Sequence, residues 1–499
     1  AYLGPTFEPS RGDAINPTQY NNLGNHPLAG SIDTALHGAL ASDSTAPRTS
    51  VHFHGGNTEE DSDGYPTHTF QPGNSRLYHY NNDQEAATLW YHDHALGITR
   101  LNVYSGLAGM YLLRDAEDTG TGSNPLGLPF GDREIPLVIQ DKAFNADGSL
   151  FYTAAPWAPE FFGDAAVVNG KAWPFLDVAQ GAYRFRMLNG SNSRFYRLTL
   201  SDKKLPMHQI GTDGGLMNNP ATINELILAP GERADVIIDF SGYRAGEEII
   251  LQNDAPAPFP SGRPRRRAGG FPLPEIMKFR VTGATAPGWT PPQGGLRITK
   301  PAINPAPLAN AVARDRFLTL VEILGPQGPL VALLNYVYFD EAENDPGLEE
   351  RPTVDTVERW NLINLTGDTH PIHLHLIRFL VENRQRLNTT KYMQDYTANT
   401  RQVQIANAVG GSTVPQYPPL DPAPYLTGPA APPRPNEVGW KDIVQANPGE
   451  VTRILVPFGA GAAGGGVTPF GNSFKGRFVW HCHILEHEDN EMMLPYTVV

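Results

Sequence analysis

The chain reads as an all-β protein, and three observations predict it. Apolar residues alternate or cluster over short runs, as in "YRFRMLNG", "ADVIIDF", "EIIL", "MKFRVTG" and "TRILVPF", the pattern of half-buried or buried strands. Fifty glycines and 46 prolines are spread along the 499 residues and separate these runs with turn signals. Long stretches of helical period are scarce, the best being the short segment "ALGITRLNVYSGLAG" that follows His94. Many short strands with turns between them point to sandwiches or barrels.

The length exceeds one ordinary core, so several domains are expected. Two composition breaks read as linkers: "AEDTGTGSNPLGLPFGD", 116–132, and the Pro/Gly-rich stretch 283–311. They leave three parts, 1–117, 133–284 and 312–499. The last part holds a further Pro-rich loop, 412–440, of a length that is usually functional or mobile.

Composition removes several function classes. A net charge of -14 argues against a nucleic-acid partner, because phosphate binding needs a basic face. The one local exception, "SGRPRRRAGG" at 261–270, reads as a solvated loop. No apolar run approaches the roughly 18 to 20 residues that span a bilayer, and the mean hydropathy of -0.34 is that of a soluble globular protein. No membrane partner is expected. The start, "AYLGPTFEPSRGD", has neither a basic nor an apolar segment of the signal-peptide kind. Cys482 is the single cysteine, which excludes an intrachain disulfide and leaves a candidate functional thiol.

Ten of the 15 histidines fall in four clusters. These are "VHFHGG" (His52, His54), "WYHDHA" (His92, His94), "HPIHLHL" (His370, His373, His375) and "WHCHILEH" (His481, His483, His487). Two clusters lie in the first third and two in the last; the middle third has only His208. In a strand, residues i and i+2 share a face, so a His-x-His pair can chelate one ion or bridge two. The same alternation turns Cys482 away from His481 and His483. The "HCH" stretch therefore implies two metal sites joined by the backbone.

Structural zinc favours closed Cys/His tetrahedra, for which one cysteine is too few. His370, Cys482 and His487 with Met492 instead supply the His, Cys, His and weak axial Met of a blue-copper site. Core packing beside Met493 is the plainer reading of Met492. Eight histidines remain, at 52, 54, 92, 94, 373, 375, 481 and 483. Four His-x-His pairs exceed the needs of one ion and demand a cluster.

With these motifs in this order, the sequence resembles the three-domain multicopper oxidases, specifically bacterial laccases of the spore-coat type. Bilirubin oxidase and phenoxazinone synthase are relatives on the same scaffold. "VHFHGGNTEEDSDGYP", "LWYHDHALGITRLNVYSGLAGMYLLRD", "THPIHLHL", "GWKDIVQANPGE" and "FVWHCHILEHEDNEMM" carry the resemblance, as do "VVNGKAWPFLDV" and "LAPGERADVIIDF". It implies three cupredoxin-like Greek-key β-barrels and four copper ions. The type 1 blue copper takes His370, Cys482 and His487, with Met492 axial. The type 2 copper takes His52 and His373. The type 3 pair takes His54, His92, His94, His375, His481 and His483. The trinuclear cluster then lies between the first and third domains, with the second as a structural spacer.

The resemblance also implies the chemistry. A small phenolic or aromatic amine reductant gives single electrons through an exposed edge of His487, and they pass through Cys482 to His481 and His483. Four such transfers reduce dioxygen to two waters. Proton supply is carried over onto Asp63 and Glu488. The plainer readings are a turn residue for Asp63 and a partner orienting an imidazole for Glu488. Asp93 faces away from His92 and His94 and reads as structural.

Bilirubin, o-aminophenol or metal-ion (cuprous or ferrous) oxidation are alternatives, although the eight methionines form no Met-rich segment of the cuprous-oxidase kind. A non-enzymatic blue-copper carrier or a copper nitrite reductase would leave the paired clusters unexplained. The 412–440 loop is the expected rim of the substrate site. In the family several dozen residues precede "GPT", so the sequence is expected to be incomplete at its start. A monomer is expected, in an extracytoplasmic, secreted or spore- or cell-surface setting rather than the cytoplasm.

Overall fold

The computed structural model describes residues 2–262, 272–325, 328–399, 402–404, 413–415 and 418–499. Its regular structure is dominated by short strands, and the longest helix among the described residues, Thr389–Asn399, has 11 residues. The segment of helical period after His94 folds as Thr99–Tyr104, a helix buried on every side.

Strands group by chain third. In the first, Val51–His54, Ala87–Asp93 and Ala108–Leu113 form an antiparallel sheet. In the middle, a five-stranded and an eight-stranded sheet enclose one apolar core that includes Phe185, Met187, Leu198, Val236, Leu251 and Phe279. In the last, a six-stranded and a four-stranded sheet enclose a second core around Leu318, Trp360, Leu374, Ile454, Trp480 and Leu494. Glu134–Phe144 pairs in parallel with Ala182–Asn189, and Val312–Gly325 with Val357–Asn364. Parallel neighbours need a crossover, so neither sandwich is a simple meander.

Both composition breaks are irregular over most of their length, but they are not free. In 116–132, Glu117, Asp118, Leu126 and Leu128 are buried. Asp118 accepts from Arg184 (2.7 and 2.8 Å) and from Arg186 (2.6 Å). Burial opposes ionisation of Asp118, yet the two guanidinium groups outweigh it and hold its carboxyl well below the ordinary range. In 283–311, Leu296 and Ile303 are buried, and Arg297 pairs with Glu85 at 2.7 Å. The short helix Pro305–Asn310 closes this linker, capped by the Asn304 side chain with proline at its first position.

Removing one partner of a buried ionic cluster strands the others. Asp118→Ala should therefore cost about 3–5 kcal/mol, read as a fall in the urea midpoint at constant slope. A loss below about 1 kcal/mol would mean that the arginines find other partners.

The 412–440 stretch differs from its expectation as a loop. Its described part contains the strand Leu426–Ala431, which pairs with Leu380–Leu387 at the edge of the six-stranded sheet. Arg384 fixes Glu437 at 2.7 and 2.9 Å. Proline-rich composition is compatible with an edge strand, where missing N–H groups cost nothing. Of "SGRPRRRAGG", residues 263–270 lie outside the described residues. No helix among the described residues is long and apolar enough to cross a membrane.

Candidate metal centres

Strand register brings the histidine clusters together. In an antiparallel pair, directly opposed residues share a face. His52 opposes His92, and His373 opposes His481. Cys482 opposes Ile372, one position out of phase, and so faces the other way together with His370. The four-stranded sheet, in the order Ile443–Ala446, His370–Leu374, Gly476–Cys482, Met493–Val498, thus carries one donor set on each face.

On one face, His370 Nδ1 lies 3.5 Å from Cys482 Sγ and His487 Nδ1 lies 3.8 Å from it. His370 donates its other N–H to Thr366 Oγ1 at 2.7 Å, which fixes the ring. His487 sits on the short helical turn Leu485–Glu488. The expected exposed edge of His487 is absent: the residue is 2% exposed. Burial lowers His370 well below the ordinary imidazole range and takes His487 down to about 3, so both are neutral donors. Burial also pushes the Cys482 thiol well up. Its thiolate therefore forms together with cation binding, which releases a proton. Met492 is buried in the same apolar cluster as Cys482, and its carbonyl accepts the Cys482 N–H at 2.9 Å.

On the other face eight imidazoles converge, all buried. His52 donates Nδ1–H to the Asp63 carbonyl (2.7 Å), His373 to the Asp442 carbonyl (2.8 Å), His92 to the Asp93 carbonyl (2.9 Å) and His481 to the Cys482 carbonyl (3.1 Å). His375 Nδ1 meets Asp63 Oδ2 at 2.7 Å. His54 is turned over, giving Nε2–H to Asp442 Oδ1 at 3.1 Å. A carbonyl only accepts, which assigns the tautomers of His52, His373, His92 and His481, and the Asp442 carboxylate, paired with Arg233, assigns that of His54.

The remaining nitrogens then point lone pairs at one another. His52 Nε2 and His373 Nε2 are 3.3 Å apart, and His54 Nδ1 and His92 Nε2 are 3.4 Å apart. His481 Nε2 lies 3.2 Å from His375 Nε2 and 3.3 Å from His94 Nε2. His483, with neither nitrogen hydrogen-bonded, completes a triad with His54 and His92. Burial keeps the rings of His52, His54, His94, His373, His375 and His483 well below the ordinary range and takes His92 down to about 3, so protons cannot fill these gaps. Cations can: the separations are those of two nitrogens each roughly 2 Å from a shared ion. The donor set fits copper, for which imidazole is a suitable ligand and thiolate beside imidazole a selective one.

The carboxylates lie beside this set. Glu488 is 3.0 Å from His481 Nδ1 and 3.4 Å from His94 Nδ1, with no hydrogen-bond partner for either oxygen. Asp63 has one oxygen on His375 and the other 3.5 Å from His52 Nδ1 with no hydrogen bond. Its side chain serves imidazoles, not the backbone donors of a turn. Burial, with Glu60 adding to it, pushes the Asp63 carboxyl well above the ordinary range. Asp93 accepts from Ser50 N, Ala95 N and Asn102 Nδ2, a structural role. His208 bonds Thr222 and stands apart from both sets.

Sequence reasoning missed Thr366, Asp442 and Arg233. Asp442 and Arg233 lie within "GWKDIV" and "GERAD", but a lone carboxylate or guanidinium has no spacing that separates a buried partner from a surface charge.

Family models described as "Multicopper oxidase" match residues 40–118 and 338–499. The chain is 38% identical to a laccase of Bacillus subtilis, over all of this chain and 88% of that protein. It is 34% identical to the multicopper oxidase LPR1 of Arabidopsis thaliana, over 90% of this chain and 75% of that protein. Among solved structures, the McoA multicopper oxidase of Aquifex aeolicus superposes with a TM-score of 0.72 at 28% identity, over 99% of this chain and 89% of that one. Three cupredoxin-like barrels with these two donor sets define a copper oxidoreductase that uses oxygen as acceptor. The chain belongs to the multicopper oxidase family, whose members carry type 1, type 2 and type 3 coppers.

Proposed function

We propose that this oxidase is a laccase acting on small phenols or aromatic amines, as a monomer built of barrels 1–117, 133–284 and 312–499. Its blue site is held by His370, Cys482 and His487 with Met492 axial, its type 2 site by His52 and His373, and its type 3 pair by His54, His92, His94, His375, His481 and His483. The observation that carries this reading is the inward-facing lone pairs of hydrogen-bonded imidazoles. All twelve donors come from one chain, so no second copy is needed. An extracytoplasmic setting suits a chain whose one thiol is buried.

Copper bound at these positions supplies the redox chemistry, taking single electrons from the reductant and reducing dioxygen to two waters. The protein supplies the rest. Cys482 and its peptide neighbours give a continuous covalent path between the two faces. Carbonyl and carboxylate partners hold each ring in one tautomer. The burial of all eight imidazoles keeps bulk water out of the site. Glu488 and the Asp63 oxygen that makes no hydrogen bond are placed to hold protons for the reduced oxygen.

A second reading, metal-ion oxidation, is favoured by Glu322, whose carboxylate lies 3.8 Å from His370 Nε2. A substrate panel under oxygen monitoring separates the two, comparing a phenol, an o-aminophenol, bilirubin, Cu(I) and Fe(II). The laccase reading expects the fastest oxygen uptake with the phenol or aromatic amine. Preference for bilirubin or for either metal ion would overturn that substrate class.

A further inference from the structure

The middle barrel contributes no donor to either face, yet one of its side chains reaches the trinuclear set. Arg233 opens the strand Arg233–Asp239 and is fully buried. Its Nη1 and Nη2 donate to the two oxygens of Asp442 at 2.7 and 2.5 Å. The rest of the guanidinium is also committed: Nε donates to the Thr88 carbonyl (2.9 Å), Nη1 to the Gly231 carbonyl (3.1 Å) and Nη2 to the Asp213 carbonyl (3.3 Å). One planar group therefore touches the first, middle and last thirds of the chain.

Asp442 passes this hold inward. Its Oδ1 accepts from His54 Nε2, and its backbone carbonyl accepts from His373 Nδ1. Within the trinuclear set, His54 is the one imidazole with an assigned tautomer whose free lone pair is on Nδ1, and only the Asp442 contact enforces that. The pair is also tightly enclosed. A Cβ on Gly55, just after His54, would lie 2.7 Å from Asp442 Oδ2 and 2.9 Å from Arg233 Nη2. Lys441 beside it is engaged by Asp213 (2.8 Å) and Glu232 (3.1 Å), both of the middle barrel, so Asp442 is flanked by a second anchored residue.

We propose that Arg233 is a positioning residue for the trinuclear donor set: its fork fixes the plane of the Asp442 carboxylate, which holds His54 with Nδ1 turned inward. The middle barrel is then a determinant of the metal site and not only a spacer. A bidentate guanidinium sets both oxygens of a carboxylate, whereas an ammonium is a point charge that sets neither. Loss of such outer partners of a metal-ligating histidine lowers metal affinity by roughly 10- to 100-fold. The proposal rests on the reading of these histidines as copper ligands.

The test compares the copper-loaded full chain with Arg233→Lys and Arg233→Met by copper content per chain, blue absorption, and the electron paramagnetic resonance signal of type 2 copper. Arg233→Lys is expected to keep the wild-type blue absorption per chain, to bind fewer coppers, and to shift the type 2 hyperfine splitting through His373, which the Asp442 carbonyl holds. Full copper content with a wild-type resonance signal would overturn the clamp. Loss of blue absorption in step with cluster copper would also overturn it, as the mark of general unfolding. If Arg233→Met does not fold, the lysine variant, which keeps the buried charge paired, decides alone. A wild-type chain that takes up only the blue copper would instead sink the oxidase reading.

Discussion

Cys482→Ser is expected to lose the blue absorption and bring oxygen uptake to background, while copper stays bound on the opposite face of the sheet. The reason is local. Cys482 is the only sulfur donor that ionises, and its Sγ faces His370 and His487 across 3.5 and 3.8 Å. A serine hydroxyl in that buried position is a hard, neutral donor, poorly suited to a site selective for thiolate. The eight imidazoles keep their hydrogen-bond partners, because none of those contacts uses the Cys482 side chain: His481 bonds the Cys482 carbonyl, which serine retains. Absorption spectroscopy, oxygen uptake and metal analysis on one preparation check all three parts. A variant that stayed blue and active would refute the assignment of the thiol.

Glu488→Gln is expected to lower kcat by about 10²- to 10⁴-fold with little change in copper content or colour. The amide is isosteric, and the His481 ring keeps its hydrogen bond to the Cys482 carbonyl, so orientation of the ring survives. What it cannot do is hold and release a proton at Oε1 or Oε2, both of which lack a hydrogen-bond partner. Steady-state oxygen uptake beside metal analysis distinguishes the two roles of this residue. A rate that falls only as far as copper content falls would show Glu488 to be an orienting group and nothing more.

Much of the architecture was legible because strands write their pattern locally. Runs such as "ADVIIDF" and "TRILVPF" fall, but for their last residue, in the strands Arg233–Asp239 and Glu450–Pro457. The histidine clusters were legible for the same reason, since His52/His54 and His481/His483 share a face by alternation alone. What alternation cannot say is which strands pair. That His52 meets His373 across 321 positions comes from tertiary register. The composition of the linkers could not show that Asp118 and Leu126 are buried, because that depends on partners elsewhere in the chain. The edge strand Leu426–Ala431 was masked by glycine and proline, which argue against a central strand but not against an edge. Arg233 and Asp442 were invisible for a different reason: their importance lies in what they touch.

The sheet that carries the two donor sets on opposite faces works as a bulkhead. The reductant can be met on one side and dioxygen on the other, with only the thickness of a pleated backbone between them. The oxidised reductant is then released on the face away from the oxygen chemistry. An enzyme built this way can accept varied reductants without reshaping the compartment where oxygen is handled.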